Sequence, residues 1–250
     1  MKNLFNIISD KNYYVNVAKS TVKNQNFQEM AVRNNLEFER VEAVTSEEYE
    51  TTGRMLATYK AQNQSFANVF QMAIDSGLEK ICIAEDDLEF TEDAKQVLTE
   101  SLERTTERKY MVDTDTPIYE REEATGELTD KIIGYEQVEE SEMIAHLPDN
   151  WDCFTLGCLN KRYAPTHMGG RVYKLRHASL GHLWFFKASM FQPMIDELLK
   201  FELPYDECIS KVFSDFDKFK PYGILNKGIA FQRPGHSDNL EKYIDNSEVS

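Results

Sequence analysis

The chain has 250 residues, the length of one large domain or two small ones, and 12% of them are aromatic, which argues against disorder. Its 43 acidic against 28 basic residues give a net charge of -15, which disfavours non-specific nucleic-acid binding. The sequence contains neither an apolar run of the roughly 20 residues that a transmembrane helix needs nor a signal-peptide pattern. The four cysteines form no CxxC pair. We therefore expect a cytoplasmic protein without a transmembrane segment.

The first hundred residues alternate between predicted strands and helices, which is the pattern of βαβ units. We predict strands at 4–8, 37–44 and 80–84, and helices at 15–34 and 55–76. The helix at 55–76 carries apolar residues at helical spacing. This alternation predicts an α/β fold with a mixed, mostly parallel sheet flanked by helices.

The composition changes in the middle of the chain. Residues 89–149 contain 18 acidic and 6 basic residues with weak periodicity, and we expect an irregular acidic insertion or surface loop at 106–149. The apolar pattern returns after it, with strands expected at 152–157, 181–187 and 229–232 and helices at 190–201 and 205–216. We therefore treat 1–250 as a single domain, with halves at 1–105 and 150–250.

Three consecutive carboxylates, Glu85, Asp86 and Asp87, follow the predicted strand at 80–84. In open α/β sheets ligands bind beyond the carboxyl ends of the strands, and clustered carboxylates repel one another unless a cation lies between them. Oxygen ligands suit Mg²⁺ or Mn²⁺. Strand alternation places Glu85 and Asp87 on one side and Asp86 on the other. A solvated turn before a helix is the alternative, and Asp113-Thr114-Asp115 is a weaker rival metal motif.

A basic segment follows the acidic one. Residues 153–195 contain no Asp or Glu but six Lys or Arg residues, among them Arg171, Lys174 and Arg176. These three predict an anion-binding surface. The alternative is that a strand-rich segment is simply depleted of acids.

Several short motifs together resemble glycosyltransferase family 25, which includes lipooligosaccharide glycosyltransferases and collagen galactosyltransferase domains. Ala84-Glu85-Asp86-Asp87 resembles the family's Leu-Glu-Asp-Asp signature. Trp151-Asp152 with Leu156-Gly157 resembles its Trp-Asp…Leu-Gly strand, and Pro204-Tyr205-Asp206 its Pro-x-Asp step. A strand ending in Ala43-Val44 is also similar. Ser65 stands where the family has Ser-His, with Phe66 in place of the His.

The resemblance implies a GT-A-like fold in which residues 1–105 bind a nucleotide-sugar donor, with a UDP-sugar as the first choice, and 150–250 face a glycan or other hydroxyl acceptor. It implies that a Mn²⁺ or Mg²⁺ cofactor is held by Asp86, Asp87 and His236. Donor binding would fall to Glu85, Asp86, Arg171, Lys174 and Arg176. An inverting transfer needs a carboxylate to take the acceptor proton. Asp206 is the leading candidate for this base and Asp152 the second.

Two alternatives remain open from the sequence. One is a phage-type transferase acting on hydroxymethylated bases of DNA, with the basic segment at 161–176 on the duplex. The other is a non-catalytic nucleotide-binding module, which Phe66 in place of His favours and the intact acidic triplet disfavours.

Overall fold

The computed structural model describes twelve stretches of the chain: residues 5–49, 54–94, 96–97, 108–123, 125–142, 147–158, 164–169, 171–179, 181–215, 217–225, 229–237 and 242–244. The α-helices in these stretches are α1 (Phe5–Ile8), α2 (Thr21–Arg33), α3 (Arg54–Asp75), α4 (Ala188–Leu198) and α5 (Tyr205–Phe213), with a short 3₁₀ helix at Ser46–Glu48. The strands are β1 (Lys11–Asn16), β2 (Glu39–Glu42), β3 (Lys80–Glu85), β4 (Leu88–Phe90), β5 (Arg108–Arg121), β6 (Leu128–Glu142), β7 (Cys153–Cys158), β8 (Thr166–Gly169), β9 (Val172–Lys174), β10 (Leu183–Lys187), β11 (Pro221–Leu225), β12 (Ala230–Gln232), β13 (Gly235–Ser237) and β14 (Lys242–Ile244).

Eight strands form one mixed sheet in the order β2-β1-β3-β10-β7-β11-β9-β8. β1 pairs in parallel with both β2 and β3, and β7 pairs in parallel with β11. β10 lies between β3 and β7 and runs antiparallel to both. The predicted mixed α/β fold is confirmed. Because β10 is antiparallel, its first residue lies at the same edge of the sheet as the last residues of β3.

Adjacent residues of a strand point to opposite faces of a sheet, and helices cover both faces of this one. Tyr13 and Tyr14 illustrate this: Tyr13 belongs to the apolar cluster formed with α3, α4 and α5, whereas Tyr14 belongs to the cluster formed with α1 and α2. The two clusters together form the core. Among the described residues, no helix combines the length and hydrophobicity needed to cross a bilayer.

The prediction of a strand at 4–8 is wrong. Phe5–Ile8 forms a short helix, and the first strand is β1. Phe5 places its ring edge-on against Phe38, Phe90 and Phe185, so its burial comes from one face of a helical turn rather than from a sheet. β1 buries both of its faces, as a central strand does, and consecutive tyrosines fill them.

The expectation of an irregular segment within 106–149 is also corrected. β5 and β6 pair as a long antiparallel hairpin. Three register shifts interrupt the pairing, so the strands show no regular alternation. Where the side chains are described, large apolar residues such as Ile118, Leu128 and Tyr135 are exposed, so burial does not mark these strands either. The rival motif Asp113-Thr114-Asp115 lies in β5, where Asp113 pairs with Gln137.

Candidate functional site

Glu85, Asp87 and His182 come together where β3 ends and β10 begins. The Nδ1 atom of His182 lies 3.1 Å from Oε2 of Glu85 and 3.7 Å from Oδ1 of Asp87. The backbone N–H of Glu85 donates to the carbonyl of His182 at 3.0 Å, which fixes the two segments against each other. One potential ligand atom from each of the three residues lies within 4.8 Å of the others. This is a compact set of two carboxylates and one imidazole.

The electrostatics of this cluster favour a positive charge within it. Burial alone would lower the pKa of His182, but the carboxylates of Glu85, Asp87 and Asp206 outweigh it and raise the pKa to about 9. Oδ1 of Asp87 is buried and accepts no hydrogen bond from any described residue. A buried carboxylate oxygen without a donor is destabilising unless a cation or water satisfies it. The residues therefore fit a bound divalent cation.

Asp86 faces away from this cluster, as the predicted alternation requires. Its Oδ2 accepts a hydrogen bond of 2.7 Å from Nδ2 of Asn16, and Nζ of Lys23 lies 3.9 Å from its Oδ1. Burial raises the pKa of the Asp86 carboxyl to about 7, although Lys23 and Asn16 act in the opposite direction. Asp86 is thus placed between the last residue of β1 and the first turn of α2, apart from the Glu85, Asp87 and His182 set.

An open cleft of about 240 Å³ adjoins the triplet. The segments that follow β1 and β2 form two of its walls, and α3 forms a third, with Val44, Ser65 and Phe66 among the lining residues. Lys19 and Lys23 also line it. A second cleft of about 320 Å³ lies between the start of α2 and residues 232–234. Both clefts reach Asp86 and Asp87, so a ligand in either one contacts the carboxyl edge of the sheet.

The two residues that carry the Ser-His comparison have structural contacts. The hydroxyl of Ser65 accepts from the N–H of Val44 at 2.9 Å and donates to the carbonyl of Ala61 at 2.7 Å, which ties the end of β2 to α3. Phe66 stacks on Tyr205, with 3.6 Å between ring centroids. Tyr205 is the first residue of α5, so this stack fixes the start of the helix, and Asp206 is the second residue.

Asp206 lies in the first turn of α5 and at the same edge as the cluster. Its carboxylate accepts from the N–H of Glu207 at 3.0 Å, and its charge contributes to the raised pKa of His182. The residue before the helix is Pro204, so Asp206 is inside the first turn rather than at the N-cap. Ser210 connects α5 to the segment that carries His182, because its hydroxyl accepts from the N–H of Ala178 at 3.0 Å and donates to the same residue's carbonyl at 2.6 Å.

The structure does not bring Asp152 to this site. Asp152 immediately precedes β7, which runs parallel to β3, so it lies at the opposite edge of the sheet. Its carboxylate accepts from the Ser189 hydroxyl and from the N–H of Lys220, the latter at 2.9 Å. These contacts join the starts of β7, α4 and β11, which is a structural role.

The basic segment is divided between the two edges of the sheet. Arg171 precedes β9, and its guanidinium lies 3.7 Å from the carboxylate of Asp93. Lys174 is at the other end of β9, where it pairs with Tyr222, and Arg176 lies two residues further along the chain. β9 is four strands from β3, roughly 19 Å at the usual strand spacing. The basic residues lining the two clefts are instead Lys19, Lys23 and Arg233. Lys161 and Arg162 lie outside the described residues, as does the side chain of His236 in β13.

The structure adds four residues to this site that the sequence does not predict: His182, Asn16, Lys23 and Gln232. His182 is one of only five histidines and lies within the strand predicted at 181–187, but no local pattern indicates which edge of the sheet it occupies. His182 lies at the carboxyl edge of the sheet because β10 runs antiparallel to β3.

Comparison with known proteins identifies a family. The family model described as glycosyltransferase family 25 (LPS biosynthesis protein) matches residues 9–133. No curated protein matches the sequence. Among solved structures, the crystal structure of a glycosyltransferase involved in the glycosylation of the major capsid of PBCV-1 is 9% identical. That alignment covers 86% of this chain and 80% of the other, with a TM-score of 0.41.

Proposed function

The chain belongs to glycosyltransferase family 25, and on that premise we propose that it transfers a sugar from a nucleotide-sugar donor, a UDP-sugar in the first instance, to an acceptor hydroxyl with the help of a divalent metal ion. The observation that carries this proposal is the set of Glu85, Asp87 and His182 at the carboxyl edge of the sheet. The cleft beside the set supplies room for a donor.

Glu85, Asp87 and His182 are the residues that would hold the metal. Their geometry supports them over the set of Asp86, Asp87 and His236 expected from the resemblance, because Asp86 faces Asn16 and Lys23 instead. An imidazole ligand favours a transition ion such as Mn²⁺ over Mg²⁺. When bound there, the ion would neutralise the negative charge that develops on the diphosphate as its bond to the sugar breaks.

The donor is proposed to bind with its diphosphate toward Asp87 and its nucleoside in the cleft behind β1 and β2. Lys23 is the cation best placed for the phosphates, since it lines both clefts and lies within 3.9 Å of Asp86. Its side chain is 25% exposed, so it is held in place yet remains accessible to a ligand. Asn16 then has a positioning role, because it holds Asp86 at the base of the cleft.

Asp206 is the proposed general base. In a single displacement, its carboxylate takes the proton of the acceptor hydroxyl while that oxygen bonds to the anomeric carbon of the sugar. The bond from the anomeric carbon to the diphosphate breaks at the same time, and its electron pair leaves with the nucleotide. Asp206 lies in the first turn of α5, where acidic side chains are commonly found because of the helix dipole.

A panel of nucleotide sugars tests the proposal. The wild-type protein should release nucleotide slowly from at least one donor by hydrolysis when Mn²⁺ is present, and a chelator should stop the release. Asp87→Asn should abolish it, whereas Asp75→Asn, the same change on the exposed face of α3, should leave it unchanged. If no donor is hydrolysed, the proposed transfer is refuted, and a nucleotide that binds without being hydrolysed would indicate the non-catalytic nucleotide-binding module.

A further inference from the structure

Asp87 is held by two consecutive residues from the C-terminal part of the chain. The side-chain amide of Gln232 donates from Nε2 to Oδ2 of Asp87 at 3.0 Å, and the backbone N–H of Arg233 donates to the Asp87 carbonyl at 2.7 Å. Gln232 is the last residue of β12, where it pairs with Leu88 of β4. The contact thus joins residues 145 positions apart in the sequence.

The contact from Gln232 leaves the two oxygens of Asp87 in different environments. Oδ2 has a hydrogen-bond donor, whereas Oδ1 is buried and has no donor among the described residues. Oδ1 is also the oxygen that lies 3.7 Å from Nδ1 of His182. The amide therefore fixes the plane of the carboxylate so that the unsatisfied oxygen points toward Glu85 and His182.

The chemistry of the amide suits this task. A glutamine carries no charge, so it orients the carboxylate without neutralising it, and the full negative charge of Asp87 remains available to a cation. A Lys or Arg at this position would instead compete with a metal for the carboxylate.

β12 itself is firmly attached, which makes the orientation reproducible. Arg233, the next residue, forms an ion pair with Glu89 of β4, and Glu89 also pairs with Arg33 at the end of α2. The side chain of Glu89 is only 17% exposed, and these two arginines lower its pKa against the opposing effect of burial. Gln232 is therefore held between a paired strand and a partly buried ion-pair network.

We propose that Gln232 is a positioning residue of the metal centre, which orients Asp87 through Oδ2 so that Oδ1 is presented to the cation. The inference rests on the proposed function, because it takes Glu85, Asp87 and His182 as metal ligands. Hydrogen-bonding partners of metal ligands typically change metal affinity by about 10- to 100-fold when they are removed. Gln232 does not need to contact the metal to have this effect.

Direct titration with Mn²⁺, followed by the electron paramagnetic resonance signal of the free ion, tests the role without using activity. Gln232→Met keeps the side-chain length and removes the donor, and Gln232→Ala removes both. Each should raise the Kd for Mn²⁺ by about 10- to 100-fold while the thermal midpoint of the metal-free protein stays near that of the wild type. Gln192→Ala is the matched control, because it deletes an amide that donates to the exposed carboxylate of Asp196 on α4, and its Kd should not change.

Two results would overturn the inference, and they differ. If the wild type binds Mn²⁺ and both Gln232 variants bind it equally well, the positioning role is refuted and the proposed function stands. If the wild type itself binds no Mn²⁺, the metal centre is refuted together with the role of Gln232.

Discussion

The protonation of His182 should make the stability of the metal-free protein depend on pH. His182 has a pKa of about 9 in the folded protein, against an ordinary value of 6.5, because Glu85, Asp87 and Asp206 outweigh the effect of burial. A raised pKa means that the folded state holds the proton more tightly than the unfolded state. The resulting stabilisation is complete below pH 6.5 and is lost as the pH rises through 9.

The size of this effect follows from the same two values. At about 1.4 kcal/mol for each pH unit between them, the free energy of unfolding should fall by about 3 kcal/mol from pH 6.5 to above pH 9. Domains of this kind unfold with about 5 to 15 kcal/mol in total, so the loss is measurable. The assay is urea denaturation in the presence of a chelator at several values of pH across this window.

The matched variant is His182→Asn, whose amide can still donate to Glu85 but cannot gain a proton. Between pH 6.5 and 9, the free energy of unfolding of this variant should therefore fall less than that of the wild type. If wild type and variant lose stability in parallel over that window, His182 is not the titrating group, and the electrostatic description of the cluster is refuted.

Two further predictions concern the reaction itself. Asp206→Asn should lower kcat by about 10²- to 10⁴-fold with the Kd for donor unchanged, whereas Asp152→Asn, at the opposite edge, should turn over normally; the reverse result would show that Asp206 is not the base. Lys23→Ala should weaken donor binding in calorimetric titration by about 1–3 kcal/mol, the usual contribution of a hydrogen bond to a charged group, whereas Arg176→Ala should leave donor binding unchanged. Equal effects of the two variants would contradict the proposed position of the diphosphate.

The edge of the sheet that carries the site could be predicted from the sequence. The alternation of strands and helices before residue 85 indicates parallel strands, and the triplet follows one of them directly. The opposite orientation of Asp86 relative to Glu85 and Asp87 follows from strand geometry alone. These inferences depend only on neighbouring residues, which is why they hold.

His182 could not be predicted in the same way, because its position depends on the order and direction of strands that are far apart in the chain. β10 is inserted antiparallel between β3 and β7, and this brings its first residue to the carboxyl edge. Gln232 reaches the site through a separate pairing of β12 with β4. No local pattern in the sequence records either arrangement.

In the basic segment, by contrast, residues that are close in the sequence are not brought together in space. Arg171 and Lys174 lie at the two ends of one short strand, so they point toward opposite edges of the sheet. Asp152 is a similar case, since a residue that precedes a strand parallel to β3 belongs at the amino edge. That placement separates it from the triplet whatever the side chain.

The position of the bound metal is the most direct test of the proposed site. Crystals grown with Mn²⁺ and UDP, measured near the manganese absorption edge, give an anomalous difference map that locates the ion independently of any assumption about function. One strong peak is expected, coordinated by Glu85, Asp87 and His182, with the diphosphate of UDP next to it. A peak beside Asp86 alone or in the hairpin at Asp113 and Asp115, with nothing between Glu85, Asp87 and His182, would contradict the proposed site.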